Sequence, residues 1–316
     1  SPNYRTLKLA YNKLYSVPNA FLGATCLTLD KQNSDELGPP WPDLVISAGR
    51  RSVPIARWIK AQSAGKTRLI QIGRPRAPLD WFDLVLTTPQ YGLPVADNVI
   101  ELSLPFVPDP GSPQDHEIWQ RQFKDLPRPW IGVLAGGAGQ SYKFDEAAAH
   151  KLASAASRIA HNTGGSLLVS ASPRTGRVQS KTIERAVVVP AFVHHWTGRE
   201  DNPHRAILAM ADRFIVTADS VSMIAEACAT GKSVELFRLQ KSGWTPRWSA
   251  RSGFMETLAH RGLLSPPRDV SAVHDRLLAT GRVAWLGEPA PQPANREPAN
   301  AEYDGVIRQI RNWLGS

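Results

Sequence analysis

The sequence predicts an α/β fold made of two domains, each built on a parallel sheet, with a cleft between them. Short, continuous apolar runs recur along the chain, as in parallel strands that helices cover on both faces. Amphipathic segments lie between these runs, and alternating strands and helices favour a parallel sheet. The length of 316 residues corresponds to about two domains.

The elements follow from apolar runs, capping residues and glycines. In the N-terminal half, Ser52 is expected to cap a helix that contains Ile55 and Ile59. In the C-terminal half, acidic residues open a helix over 145–161, and Asn202-Pro203 marks the start of another. Strands are predicted at 44–46, 69–72, 84–86, 131–134, 166–169, 187–189, 214–216 and 234–237.

Proline-rich segments divide the chain. The segment 105–129 is predicted to be a linker between an N-terminal domain over 1–120 and a C-terminal domain over 128–290. A Pro- and Ala-rich tail with a terminal helix is expected over 291–316.

Composition limits the function classes. The net charge of +9 suits an anionic partner such as a nucleotide, a membrane surface or a nucleic acid. No motif of stacking aromatics on a basic face is present, so nucleic acid is not expected as a partner. No residues show zinc-ligand spacing, so no metal site is predicted. Two cysteines and no apolar stretch of about 18 residues favour a cytoplasmic protein without a membrane span.

The most informative segment is 217–226, which follows a predicted strand. Ligands bind beyond the carboxyl ends of parallel strands, and the first N–H groups of the helix that starts here could hold a phosphate. Glu226 lies one turn beyond Ser222 on the same helix face, where a carboxylate can accept both hydroxyls of a ribose. The alternative is a well-capped helix with a surface glutamate, in which Asp219, Ser220 or Ser222 supplies the cap.

Three further loops after predicted strands carry candidate residues. Gly136 and Gly137 permit close approach of a ligand to the backbone, although a plain turn has the same composition. Arg174 could clamp a diphosphate, or could be an ordinary loop arginine. In the N-terminal half, cleft candidates come from the loop after the first strand, namely Arg50, Arg51 and Ser52. The alternative is that these arginines pair with acidic residues of neighbouring loops.

The segment from Leu7 to Leu29 combines apolar residues with Lys8 and Lys13. Such a segment could dock on an anionic membrane surface, which would make the protein peripheral on the inner face of the membrane. The alternative is a helix buried against the first sheet.

Three segments carry a resemblance to a known family. They are 43–52, the sequence Trp196-Thr-Gly198 followed by Asn202-Pro203, and 217–232. Together they resemble the ELM family, named for a plant mitochondrial-fission factor and common in bacteria. The segment 217–232 is similar, more distantly, to the nucleotide-sugar site of GT-B glycosyltransferases such as the enzyme that makes lipid II. The resemblance implies two Rossmann-like domains that face a cleft. Family members usually open with a strand and a Gly-rich loop, whereas this sequence starts near the second strand. Either that segment was trimmed or it is absent, and in both cases the first strand of the N-terminal sheet would lie outside this sequence.

The resemblance also assigns roles to residues. It gives Glu226 the ribose of a nucleotide-diphosphate sugar, and gives Arg174 and the Gly136–Gly137 loop the diphosphate or the sugar. The loop that contains Trp196 would border the base. It also gives the diphosphate to the region of Ser220, Val221 and Ser222. The rest of the donor-binding set consists of Met223 and Asn202. No residue is assigned as the catalytic base.

The function that the resemblance implies is transfer of a sugar from a nucleotide-diphosphate sugar to a lipid-linked or envelope glycan acceptor, with no further cofactor. The alternative is a non-catalytic adaptor of the mitochondrial-fission-factor type on the same fold, because a fold does not fix a function.

Overall fold

The computed structural model describes residues 4–139, 141–198, 202–243, 253–265, 267–289 and 301–314. These residues belong to two compact units. Unit 1 comprises Ser1–Leu102, Pro246–Asp269 and Gln309–Ser316, and unit 2 comprises Ser103–Thr245 and Val270–Arg308. The predicted domains, 1–120 and 128–290, differ from these units in extent. A later segment, Pro246–Asp269, also belongs to unit 1. At its end, the Asp269 amide donates to the Gln90 carbonyl at 2.9 Å.

Unit 1 contains a four-stranded parallel sheet in the order β1-β2-β3-β4. The strands are β1 (Leu44–Ala48), β2 (Arg68–Ile72), β3 (Leu84–Thr87) and β4 (Val99–Glu101). The helices are α1 (Asn19–Leu22), α2 (Val53–Gln62) and α8 (Gly253–His260). Apolar residues of α2, β2 and β3 form the centre of the unit, with Val53, Leu69 and Val85 fully buried. The three strands predicted in this half are confirmed.

Unit 2 contains a six-stranded sheet of parallel pairs in the order β12-β10-β9-β5-β7-β8. Its strands are β5 (Trp130–Ala135), β7 (Ser166–Ala171), β8 (Ala191–His194), β9 (Arg213–Thr217), β10 (Ser233–Phe237) and β12 (Ala284–Trp285). A separate antiparallel pair consists of β6 (Tyr142–Lys143) and β11 (Gln240–Lys241). The helices are α3 (Glu117–Phe123), α4 (Glu146–Thr163), α5 (Arg177–Ala186), α6 (His204–Met210), α7 (Val221–Ala229) and α9 (Ser271–Ala279). A terminal helix, α10 (Ala301–Leu314), follows.

The strongest sequence signals of unit 2 form as predicted. Asp145 caps α4 by accepting a hydrogen bond from the Ala148 amide at 2.9 Å, and Gly164 ends the helix in the left-handed conformation. All six residues of β5 and of β7 are buried, as the continuous apolar runs require. The α/β fold with two parallel sheets is therefore confirmed.

The predicted strand at 187–189 is wrong. Val187 ends α5, and its amide donates to the Ile183 carbonyl at 3.1 Å. The sheet partner of β7 begins only at Ala191, after Pro190. The β-branched residues of this turn have the composition of a strand. The first of them, Val187, is instead hydrogen-bonded to the end of α5.

The N-terminal segment from Leu7 to Leu29 is not a long helix. It contains a short 3₁₀ turn at Lys13–Ser16 and the single turn α1, and an isolated bridge pairs Tyr11 with Leu29. Leu29 is buried, whereas Leu14 and Phe21 are exposed. The segment is therefore neither the expected buried helix nor a continuous amphipathic one. Within the described ranges, no helix is long and apolar enough to cross a membrane.

Candidate functional site

Three neighbouring strands of unit 2 end at one edge of its sheet, and their loops carry most of the predicted donor site. β9, β5 and β7 lie side by side in the sheet. Gly136 and Gly137 follow β5, the loop with Arg174 follows β7, and Ala218-Asp219-Ser220 follows β9. Because carboxyl ends of parallel strands meet at one edge, the sequence-distant loops come into contact here.

Asp219 connects these loops. Its Oδ2 accepts a hydrogen bond from the Gly137 amide at 3.0 Å and pairs with Nη2 of Arg174 at 3.1 Å. The Asp219 side chain is 2% exposed, whereas that of Arg174 is 46% exposed. Its second oxygen, Oδ1, is buried and has no hydrogen-bond partner among the described residues. The ion pair therefore anchors one side of the guanidinium while the rest of it reaches solvent.

The two glycines are required by close approach rather than by a turn. A Cβ atom on Gly136 would overlap the carboxylate of Asp219, and one on Gly137 would overlap the backbone carbonyl of Arg174. The Gly136 amide donates to Oγ1 of Thr217 at 2.7 Å. Glycine thus lets the loops after β5, β7 and β9 come close together, and side chains at these positions would push them apart.

The loop after β7 is braced by two buried hydroxyls. Oγ1 of Thr175 accepts from the Ser172 amide at 2.8 Å and donates to the Ala135 carbonyl at 2.8 Å. Oγ of Ser172 donates to the Gly136 carbonyl at 3.1 Å. These bonds fix the backbone on both sides of Arg174, so its guanidinium extends from a rigid loop.

The helix α7 begins directly beside Asp219. Ser220 precedes its first turn and makes no side-chain capping bond, so no serine oxygen occupies the first amides of the helix. Val221 is buried, Met223 is half-buried and Ser222 is exposed. Of these residues at the start of α7, Ser222 is thus the one whose side chain is exposed.

Glu226 lies one turn deeper on α7 and is held by a histidine. Its Oε2 bonds Nε2 of His204 at 2.9 Å, and Nδ1 of His204 bonds Oγ of Ser170 at 3.2 Å. The side chains of Glu226 and His204 are 24% and 17% exposed. If the Ser170 hydroxyl donates to Nδ1, the imidazole donates to Glu226, and the carboxylate keeps one oxygen for a ligand.

Two predicted donor residues remain: Asn202, which contacts this histidine, and Trp196, which follows β8. Oδ1 of Asn202 accepts from the His204 amide at 3.0 Å, so Asn202 orients the start of α6, which begins one residue later than predicted. Trp196 is 42% exposed after β8. Burial, followed by the charge of His195, lowers the pKa of His194 in the same segment. Nδ1 of His195 bonds Oγ of Ser180 at 2.5 Å.

The predicted cleft residues belong to unit 1. Arg50, Arg51 and Ser52 form a 3₁₀ turn at the carboxyl end of β1. The Ser52 hydroxyl donates to the carbonyls of Ala48 and Gly49 at 3.1 Å and makes no capping bond to α2. The arginines lie against the ring of Tyr15, at 5.7 and 4.2 Å from its centroid.

The sequence reasoning missed two residues that organise the site. It named Asp219 only as a possible cap, although this residue of the loop after β9 contacts Gly137 in the loop after β5 and Arg174 in the loop after β7. It did not single out His204, which contacts Glu226. The signal for both is their place at the carboxyl edge of the sheet, but only the folded chain shows which loops meet. Within the described parts of the chain, no cluster of three His, Cys, Asp or Glu residues could hold a metal ion.

The fold and site define an α/β protein with a parallel sheet in each unit and a polar, glycine-lined carboxyl edge in the second. The family model for mitochondrial fission ELM1 matches residues 3–288, and the chain belongs to this family. The resemblance to the ELM family expected from the sequence is confirmed.

Two relatives and one solved structure illustrate the similarity. The mitochondrial fission protein ELM1 of Arabidopsis thaliana is 28% identical over 262 residues, which cover 75% of this chain and 59% of that protein. The chain thus matches less than two thirds of the plant protein. The uncharacterized protein RP120 of Rickettsia prowazekii (strain Madrid E) is 26% identical over 276 residues, 74% of this chain and 75% of that protein. The UDP-GlcNAc 2-epimerase of Neisseria meningitidis bound to UDP-GlcNAc aligns with 85% of this chain and 76% of its own, at 12% identity and a TM-score of 0.41.

Proposed function

We propose that this protein is a GT-B-like glycosyltransferase that moves a sugar from a nucleotide-diphosphate sugar to a lipid-linked or envelope glycan acceptor. The observation that carries the proposal is the carboxyl edge of unit 2. A partly exposed arginine, two close-packed glycines, an uncapped helix start and a held carboxylate come together there.

Each part of the donor has a chemical counterpart at this edge. The first amides of α7 and the guanidinium of Arg174 suit a diphosphate, because both present N–H donors and positive potential. The free oxygen of Glu226 suits a ribose hydroxyl. In the transfer, the acceptor hydroxyl oxygen would bond to the anomeric carbon and give up its proton to water or a base. The bond from that carbon to the diphosphate oxygen would break, and its electron pair would leave with the nucleoside diphosphate. Arg174 and the helix amides would stabilise the charge that develops on the leaving diphosphate.

We place the acceptor on a membrane because unit 1 exposes apolar side chains near its N-terminal segment. Phe21, Leu27 and Leu14 are 77%, 69% and 48% exposed, and Lys13 beside them is exposed. Apolar side chains that enter the interface and lysines that face anionic headgroups are the two contributions that peripheral proteins combine. This attachment would hold the protein on the inner face of the membrane.

Isothermal titration with UDP, GDP, ADP and CMP tests the donor site. We expect one nucleoside diphosphate to bind with a stoichiometry of one, and Arg174→Gln to weaken that binding. Lys151→Gln is the matched control, because Lys151 is an exposed cation on α4 of the same unit. A folded protein that takes up none of the four nucleotides would contradict the proposal.

The second candidate is a non-catalytic adaptor, favoured by the name of the Arabidopsis relative. An adaptor has no need of a donor site, so a titration in which no nucleotide binds would favour the adaptor. If a nucleotide binds, incubation of its sugar conjugates with membrane extracts should release the free nucleoside diphosphate. Nucleotide binding without any release would favour a regulatory adaptor over an enzyme.

A further inference from the structure

We propose that a cluster of arginines in unit 1 binds a phosphate group of the acceptor, an inference that rests on the proposed function. The arginine cluster consists of Arg50, Arg51, Arg74, Arg76 and Arg268. The sequence singled out only the first two, as cleft candidates without a ligand.

The cluster sits where three parallel strands of unit 1 end. Arg50 and Arg51 follow β1, and Arg74 and Arg76 follow β2. Arg268 approaches from a later part of the chain and bonds, through Nε, the side chain of Gln90 after β3. The carboxyl edge of a parallel sheet is the usual place for a ligand in this class of fold.

The loops that carry these arginines are tied together by a buried side chain. Nδ2 of Asn19, a residue only 2% exposed, donates to the Arg50 carbonyl at 2.8 Å and to the Pro75 carbonyl at 2.9 Å. A single amide thus fixes the spacing between the loops after β1 and β2. The arginines therefore extend from a constructed edge and not from independent surface loops.

Two tyrosines complete the arrangement. Arg50 and Arg51 lie over Tyr15, and Arg74 and Arg268 lie over Tyr91 at 5.5 and 5.8 Å from the ring centroid. A ring face can stabilise a guanidinium without using its N–H donors.

The positive charges act on one another. Burial lowers the pKa of Arg50, and the charges of Arg76 and Arg51 lower it further. Burial also lowers the pKa of Arg74, with contributions from Arg76 and Arg268. In the described ranges, no ion pair joins Arg50, Arg51, Arg76 or Arg268 to a carboxylate, whereas Lys60 of the same unit pairs with Asp83 at 2.8 Å. A bound anion would relieve this repulsion.

The backbone at Arg76 gives an independent sign of function. Its φ is +51°, a left-handed conformation that glycine adopts without cost and arginine adopts with strain. An arginine at such a position is explained if its charge is needed there. Fork-shaped donors from several arginines suit the oxygens of a phosphate, and the start of α2 beside Ser52 adds positive potential.

The phosphate could belong to a lipid headgroup or to a soluble sugar phosphate, and two probes distinguish these sources. Glycerol 3-phosphate is titrated into the full chain by calorimetry. Vesicles of phosphatidylcholine, with and without phosphatidic acid, are tested for co-sedimentation. We expect at least one probe to bind, and the double variant Arg51→Gln/Arg268→Gln to weaken that binding about tenfold or more. Binding of glycerol 3-phosphate without binding to phosphatidic acid vesicles would identify a soluble source, and binding to phosphatidic acid vesicles alone would identify a lipid.

Two controls make the test specific. Arg68→Gln removes an exposed arginine at the opposite, amino end of β2, where it lies over Trp313, and should leave binding unchanged. Arg76→Gly should weaken binding while the thermal midpoint stays level or rises, because glycine relieves the left-handed strain. If Arg76 were needed only for the structure, its replacement would lower the thermal midpoint together with binding.

The two sites can fail independently. Arg174→Gln should reduce binding of the nucleoside diphosphate that the titration identifies and leave glycerol 3-phosphate binding intact, so loss of the donor site alone would not imitate loss of this one. The inference is overturned if neither probe binds, or if Arg68→Gln weakens binding as much as the double variant.

Discussion

Replacing Asp219 with alanine tests how the loops at the carboxyl edge of the unit 2 sheet are held together. The carboxylate accepts from the buried Gly137 amide and pairs with Arg174. Its removal leaves the amide without a partner, which costs about 1 to 3 kcal/mol. The ion pair adds about 0 to 1 kcal/mol, because Arg174 is half exposed and solvent screens the interaction. Loss of the unpartnered Oδ1 returns part of this cost, so we expect the free energy of unfolding to fall by about 2 kcal/mol.

Asp212 of the same unit is a matched control for Asp219. Asp212 also accepts from a backbone amide, that of Trp130, at 2.6 Å and pairs with Arg128 at 2.6 Å, but its side chain is 38% exposed. Water can take the place of this carboxylate as the acceptor for the Trp130 amide. Asp212→Ala should therefore lower the free energy of unfolding less than Asp219→Ala does. Asp219→Asn should fall between wild type and Asp219→Ala, because the amide oxygen can still accept from Gly137.

Urea denaturation followed by circular dichroism measures these differences. The urea concentration at the midpoint should be lowest for Asp219→Ala, intermediate for Asp219→Asn and highest for wild type. The dependence of the free energy of unfolding on urea should be the same for all three. A stability of Asp219→Ala equal to wild type, or a larger loss in Asp212→Ala, would refute the reasoning from burial.

Three further predictions address binding, attachment and pH. Glu226→Ala should weaken nucleotide binding about tenfold or more without unfolding the chain, since a charged hydrogen-bond partner contributes about 1.5 to 3 kcal/mol; unchanged affinity in calorimetry would make Glu226 an ordinary surface residue. The double variant Phe21→Ala/Leu27→Ala should reduce flotation with anionic liposomes, and high salt should reduce it further. A wild-type protein that stays at the bottom of the gradient with both anionic and neutral liposomes would contradict the membrane proposal. The folded-state pKa of His194 lies below its ordinary value of 6.5 because of burial, so the unfolded chain takes up the proton first as the pH falls below that value. Stability should therefore decline in that window and decline less in His194→Gln, as thermal melts between pH 5 and 8 would show.

The sequence by itself determined the local elements and the class of fold. Continuous apolar runs predicted β5 and β7 because both faces of those strands are buried. The Asp145 cap and the Gly164 stop predicted α4, because both signals act through the backbone of adjacent residues. The same local reasoning failed at 187–189, where β-branched residues suggested a strand but the preceding helix and Pro190 placed the strand at Ala191.

Only the tertiary structure decided which loops meet. Asp219 contacts the loop after β5 because β9 lies beside β5, and His204 contacts Glu226 because α6 and α7 pack on the same sheet. The arginines of unit 1 were likewise separated in sequence until β1, β2 and β3 aligned and Asn19 joined two of their loops. Strands and caps depend on neighbours in the chain, which the sequence contains directly. A site depends on contacts between distant segments, and these are fixed by sheet order, which packing of the whole domain selects.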